Sequence, residues 1–174
     1  MADLHINDFC RDAAIALVRL YQHFPRPQAL YVSDIAGHEE RDEVGLYSKR
    51  HMACLHTLLW LADEQFFRFT SLIYEEGVEQ AVLTHSAFVL LSHMEVPEAL
   101  RQVKLADNQW IRHIRHALKT QDSLYCETLI HHLLAQALSL PKNSAKLAPT
   151  VVPPPAKETD KSHLPTIEEM FASL

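Results

Sequence analysis

The middle of the chain, residues 48–91, reads SKRHMACLHTLLWLADEQFFRFTSLIYEEGVEQAVLTHSAFVLL. Its first part has the pattern of an amphipathic helix from Ser48 to about Asp63. Ser48 is a favoured N-cap residue. The apolar residues then recur at the spacing of one helix face, which is formed by Met52, Leu55, Leu59 and Ala62 and widened by Leu58 and Trp60. This pattern predicts a helix with one buried face.

The second part of the same stretch has the pattern of a β-hairpin followed by another helix. Residues 66–70 are rich in aromatic side chains, which are typical of strands. Residues 74–77 are Tyr-Glu-Glu-Gly, a polar turn, and residues 81–83 are apolar again. Thr84 is a second N-cap residue, and residues 87–93 carry apolar side chains for a core. We therefore predict a helix, a two-stranded ribbon and a second helix.

The residues before this stretch predict one more helix and a short extended segment. From Asn7 to Phe24, apolar residues fall at helix spacing, and Pro25-Arg26-Pro27 ends the pattern. Residues 29–36 suit a short strand that leads into a helix. Residues 38–45 form an acidic connection with four carboxylates and one arginine.

Residues 7–93, about half of the chain, resemble the winged helix-turn-helix superfamily. The resemblance rests on a helix that ends in Leu-Leu-Trp-Leu (residues 58–61), an acidic corner, an aromatic strand, a short wing and Leu83-Thr84 before a final helix. Gln65 stands at the corner where the superfamily commonly has glycine, and Ala87 stands where the last helix commonly has glycine. A residue other than glycine at a left-handed corner costs about 1 kcal/mol.

The resemblance implies a DNA-contacting surface at the start of the second helix and at the wing. The residues of this sequence at those places are Ser48, Lys49, Arg50, His51 and Arg68. The charge of the region argues against DNA, because residues 1–95 hold seven Lys and Arg against fourteen Asp and Glu. Proteins that bind nucleic acids gain much of their affinity by neutralising phosphates, and they usually display a basic patch.

Beyond residue 95 the sequence predicts a helical hairpin, which is a candidate dimerisation element. Pro97 suits the first turn of a long helix that reaches about Lys119, and a second helix follows from about Ser123 to Leu138. At roughly 100° per residue, five cations of the long helix fall opposite its apolar side. These are Arg101, Lys104, Arg112, Arg115 and Lys119. The stripe is either a solvated face or a surface for DNA, RNA or an acidic partner.

The last 34 residues divide into a linker and a short amphipathic motif. Residues 141–165 are rich in Pro, Lys, Ser, Thr and Ala, which predicts a disordered linker. Residues 166–169, Thr-Ile-Glu-Glu, match a capping box. The apolar residues of the motif are Ile167, Met170, Phe171 and Leu174. This terminal helix either binds a protein partner in a groove or packs on the core of its own chain.

Composition and motifs narrow the class of protein. The chain has no apolar run of membrane-spanning length and no signal-peptide pattern. Its three cysteines are far apart, which favours reduced, buried thiols and a cytoplasmic location. The twelve histidines do not form a recognisable metal motif, and His113 and His116 are the one pair at a chelating spacing. Phosphate-loop, nucleotide-binding and nucleophile-elbow motifs are absent, so we predict no catalytic residues, no metal and no cofactor.

Together these patterns predict a mainly α fold: a winged-helix-like α+β domain (residues 1–95), a helical hairpin (96–140), a Pro-rich linker (141–165) and a C-terminal helix (166–174). We expect a non-enzymatic regulatory or adaptor protein that works through protein contacts, as a homodimer, with no role at a membrane. The alternative is a DNA-binding transcriptional regulator that uses the helix starting at Ser48 and the small wing.

Overall fold

The computed structural model of the protein describes residues 4–137 and is helix-rich, with one small antiparallel sheet. The elements in chain order are α1 (Leu4–His23), β1 (Gln28–Tyr31), α2 (Ser33–Ala36), α3 (Lys49–Asp63), β2 (Phe67–Arg68), β3 (Ser71–Ile73), β4 (Gly77–Leu83), α4 (His85–His93), a 3₁₀ turn (Glu98–Leu100), α5 (Trp110–Thr120) and α6 (Ser123–Ala137). A mainly α fold is therefore confirmed. The predicted linker and terminal helix lie outside the described residues.

The two predicted helix caps are both present. The Ser48 hydroxyl accepts a hydrogen bond from the His51 backbone N–H at 3.1 Å and begins α3, and Thr84 accepts from Ala87 N–H at 3.2 Å and begins α4. The corner after α3 is left-handed at Gln65, where φ is 65°. The local sequence therefore located these helix starts and this corner correctly.

β4 is the central strand of the sheet. β1 pairs with one edge of β4, and both β2 and β3 pair with the other edge, all antiparallel. β3 lies beside the first half of β4, next to the turn at residues 74–76, whereas β2 lies beside its last two residues. The predicted single strand at residues 66–70 is thus the short strand β2, and a further strand, β3, precedes the turn.

The long helix predicted from Pro97 to Lys119 is wrong. Residues 101–109 form an irregular loop, and α5 begins only at Trp110. The loop is held at both ends by the backbone, because Val96 N–H donates to the Asn108 carbonyl at 2.8 Å and Glu95 bridges to Gln109. Arg101 and Lys104 therefore do not continue a stripe along α5.

One hydrophobic core runs through the described chain, from Cys10 in α1 to Leu133 in α6. α1 packs against α3, α5 and α6, and α5 packs against α6 as the predicted hairpin. Trp110, Ile111 and Ile114 of α5 are fully buried in this core. The core is therefore continuous across residue 95, where we expected a domain boundary.

Among the helices between residues 4 and 137, none combines the length and the apolar character that crossing a membrane requires.

Candidate interaction site

Four of the five residues proposed from the sequence to contact DNA lie around the first turn of α3, and three of these four have partners within the protein. Arg50 makes two hydrogen bonds of 2.6 Å to the two carboxylate oxygens of Asp12 and lies 3.6 Å from Asp8. Asp12 is 1% exposed. These bonds raise the pKa of Arg50 above its usual value. Arg50 thus joins α3 to α1.

His51 is also occupied, since it is 4% exposed and its Nε2–H donates to the Glu75 carbonyl at 2.7 Å. A carbonyl can only accept, so Nε2 carries the proton. The Tyr47 ring is stacked on the His51 ring, with centroids 3.8 Å apart. Ser48 caps α3 and donates its hydroxyl hydrogen to Glu39. Ser48 and His51 therefore hold structure together at this position.

The acidic connection before α3 packs beside the turn between β3 and β4. The Tyr47 hydroxyl donates to the Glu76 carboxylate at 3.1 Å, and the Arg41 guanidinium lies 3.4 Å from the same carboxylate and over the Tyr47 ring. These contacts bring together two segments that the sequence separates by about thirty residues. The acidic character of both segments is visible in the sequence, but their contact is not.

The surface formed by this meeting carries an excess of negative charge, and we call it the acidic face. Its carboxylates are Glu39, Glu40, Asp42, Glu43, Glu75 and Glu76. Its cations are Arg41, which is already paired, and Lys49, which is exposed at the first position of α3. A surface of this charge repels a phosphate backbone.

Exposed apolar side chains accompany this charge. Tyr74 at the turn is 86% exposed, and Leu72 in the adjoining strand is 52% exposed. In the acidic connection, Val44 is 81% and Leu46 is 59% exposed. Exposed apolar side chains rimmed by polar residues are a feature of surfaces that bind other proteins.

Arg68 lies away from the acidic face. It pairs with Val82, whereas the turn adjoins Gly77. Val82 and Gly77 are five residues apart in β4, so at about 3.3 Å per residue Arg68 lies most of the length of the strand away from the turn. β2 therefore lies at the end of β4 opposite the β3–β4 turn, and DNA contact by Arg68 at the wing stays a prediction.

The thiols and histidines considered for chemistry are mostly buried. Burial raises the pKa of Cys10 and of Cys54 to about 12 and that of Cys126 to about 11, so these thiols stay protonated near neutral pH. His113 is fully buried, with Nδ1 2.6 Å from the Tyr125 hydroxyl. Within residues 4–137, no three His, Cys, Asp or Glu residues are grouped as a metal site would require.

Comparisons with family models, with curated proteins and with solved structures found no match to this chain.

Proposed function

We propose that the chain is a regulatory or adaptor protein on a winged-helix-like scaffold, and that it acts by binding another protein through the acidic face. The element order supports the scaffold: α1, β1, α2 and α3 precede the strands, and β4 lies between β1 on one side and β2 and β3 on the other. In such a scaffold the start of α3 and the β3–β4 turn correspond to the surface that meets DNA.

The observation that carries the proposal is the excess of negative charge on this surface. Arg50, which follows Lys49 in the first turn of α3, is paired with Asp12 and Asp8. Six carboxylates lie in the segments that form the helix start and the turn. Exposed Tyr74 and Leu72 add apolar contact area to this charge. The chemistry fits a partner protein with a basic surface and an apolar pocket for an aromatic side chain.

Site-specific photocrosslinking tests this proposal in the cells that make the protein. A photoreactive phenylalanine analogue at Tyr74 should give a discrete adduct with a partner. The same analogue at Leu124, which is 69% exposed but lies on α6, is the matched control and should not give that adduct. Changing Glu40, Glu43 and Glu75 together to Gln should weaken the adduct. A Tyr74 adduct that is absent, or identical to that from Leu124, contradicts the proposal.

The alternative function, DNA-binding regulation, rests on Lys49, which is exposed at the first turn of α3. A fluorescence anisotropy titration with genomic duplex fragments at two salt concentrations separates the two functions. Affinity that falls steeply with salt and disappears in Lys49→Glu would establish the alternative and overturn the adaptor proposal. We expect no such affinity.

Two further expectations stay predictions. One is homodimer formation through the hairpin, whose buried apolar residues in α5 and α6 belong to the core of the same chain. Partner binding by Ile167, Met170, Phe171 and Leu174 concerns residues outside the described part of the chain. Replacing Met170 and Phe171 with Ala tests whether they contribute to the adduct formed at Tyr74.

A further inference from the structure

A basic groove lies on the outer side of α5 and shares no residue with the acidic face. It has a volume of about 430 Å³, and one wall is the irregular loop at residues 105–107. The other wall is formed by four side chains of α5, namely Arg112, Arg115, His116 and Lys119. These positions follow the i, i+3, i+4, i+7 spacing of one helix face. The opposite face of α5 is buried in the core, so the cations are held on the outer side.

The positive charge of the groove is only partly balanced. Arg112 lies 3.6 Å from Asp107, and both side chains are more than half exposed, which makes this a weak pair. In the described part of the chain, Arg115 and Lys119 have no carboxylate partner. Cations that lie close together without counter-charges repel one another. An anion bound between them would remove this repulsion.

Arg115 is positioned by packing. Its guanidinium carbon lies 5.4 Å from the centroid of the Tyr21 ring, in a cation–π contact with α1. Its Nε is buried and has no hydrogen-bond partner among the described residues. A buried donor without an acceptor lowers stability. The contact with Tyr21 therefore restrains the Arg115 side chain, which lines the groove and has an unpaired N–H donor.

The size and limits of the groove favour a small ligand over a nucleic acid. A volume of about 430 Å³ falls within the range of small-molecule sites, and the groove is open to solvent. Arg101 does not extend the basic surface, because it binds Glu95 at 2.8 Å and the Val96 carbonyl at 2.7 Å. A long polyanion would also meet a chain with a net charge of −6.

We propose that this groove binds a small phosphorylated molecule, with its phosphate held by Arg112, Arg115 and Lys119. Two guanidinium groups from successive turns and one ammonium group donate from several directions, which suits the oxygens of a phosphate. Leu105 and Ala106 on the facing wall provide contact for the uncharged part of the ligand. The groove shares no residue with the acidic face. A test of phosphate binding here therefore does not depend on the proposed function.

Isothermal titration calorimetry of the full chain with pyrophosphate tests the proposal. Titrations with citrate, at the same ionic strength, provide the comparison with a polycarboxylate. We expect saturable binding of one pyrophosphate per chain. Arg115→Gln and Lys119→Gln should each weaken it about tenfold, whereas Lys49→Gln, a cation outside the groove, should leave it unchanged. Lys119 is exposed, so its replacement tests the site without disturbing the core.

Asp107→Asn gives a test of opposite sign. Removing the carboxylate that pairs with Arg112 should strengthen pyrophosphate binding by about two- to fivefold. No binding, binding weakened equally by Lys49→Gln, or tighter binding of citrate than of pyrophosphate would overturn the proposal. A 20-nucleotide strand that binds through Arg115 while pyrophosphate does not would also overturn it, in favour of a nucleic-acid surface.

Discussion

At the scale of single residues, the pair of Arg50 and Asp12 links the first and third helices. Asp12 is 1% exposed, and the Arg50 side chain is 26% exposed. Moving an ionised carboxylate out of water is costly unless a cation and hydrogen bonds compensate it. Because Arg50 provides both, its replacement leaves the charge of Asp12 buried.

We therefore predict that Arg50→Gln lowers the free energy of unfolding by about 3 kcal/mol, measured by urea denaturation. Lys49→Gln, at the adjacent exposed position, should change it by less than about 0.5 kcal/mol. In the double variant Asp12→Asn/Arg50→Gln, part of the loss should return because no charge is left buried. An Arg50→Gln variant as stable as the native chain would show that this pair contributes nothing.

The second residue-scale feature is the buried His113. Burial lowers its pKa below the ordinary value of 6.5, and the nearby positive charges of Arg101 and His116 lower it further. The folded state therefore binds a proton on His113 less readily than the unfolded state. By linkage, this group decreases stability as the pH falls below about 6.5.

We predict that the urea midpoint of the native chain decreases between pH 7 and pH 5, and that His113→Phe reduces this pH dependence. At pH 7 the variant should lose about 1–2 kcal/mol, because the Tyr125 hydroxyl loses its ring-nitrogen partner. His132→Gln, at an exposed position of α6, serves as the control and should keep the native pH dependence. An unchanged pH dependence in His113→Phe would refute the role given to His113.

At the scale of elements, the close contact of β1 with β4 depends on Gly77. A Cβ at this position would collide with the Leu30 carbonyl oxygen and lie 3.0 Å from the Tyr31 Cα. Both are backbone atoms, so the strand as a whole would have to move. Three residues further along β4, Gln80 has a φ of 52°, at the bulge where the pairing with β1 shifts register.

We predict opposite effects of substitution at these two positions of one strand. Gly77→Ala should lower the free energy of unfolding by about 2 kcal/mol, because β1 is displaced. Gln80→Gly should be neutral or slightly stabilising, since relief of about 1–2 kcal/mol of left-handed strain exceeds the entropic cost of glycine, about 0.5–1 kcal/mol. Urea denaturation measures both. Equal effects of the two changes would contradict the assigned geometry.

At the scale of the whole molecule, the hairpin of α5 and α6 contributes to the same core as the residues before it. α6 packs along α1, and Cys10 of α1 and Cys126 of α6 are both buried in the shared core. A chain that ends at residue 95 would expose this side of α1 to water. At about 25 cal/mol per Å² of apolar area, the loss is large compared with the marginal stability of a typical domain.

We predict that the full chain unfolds in one transition and that a chain of residues 1–95 has no cooperative transition. The two tryptophans report separately on the two parts, since Trp60 is in α3 and Trp110 in α5. The variants Trp60→Phe and Trp110→Phe each keep one tryptophan. In each variant, the urea transition followed by fluorescence should coincide with that followed by far-UV circular dichroism. Separate transitions, or cooperative unfolding of residues 1–95, would establish two independent domains.

The sequence predicted the elements whose signals are local. Ser48 and Thr84 mark helix starts by the chemistry of their own side chains, and Gln65 follows an acidic end of α3 at a predicted corner. Residues 97–109 do not form the predicted α-helix. Pro97 and the following residues suit a helix, but Arg101 bonds to Val96 and Glu95, and the loop is tied back to residues 95 and 96. Such tertiary bonds override local preference.

For the candidate site, the sequence identified residue types but not their neighbours. It located Lys49 and Arg50 at the start of a helix and the carboxylates on either side. It did not pair Arg50 with Asp12, which is 38 positions earlier, because an arginine on a polar helix turn has the same pattern whether it is free or buried against another helix. The basic groove was only partly foreseen, as a stripe along a helix longer than the actual α5.

The mainly helical character of the chain, the starts of α3 and α4, and the acidity of the first half all follow from the sequence alone. These properties depend on side-chain periodicity, on caps that act within three residues, and on charge. Three features appear only in the folded chain: Arg50 holds two helices together, the acidic connection meets the β3–β4 turn, and α5 faces a loop across a basic groove. These arrangements depend on contacts between residues far apart in the chain, which packing of the whole core selects and local patterns do not encode.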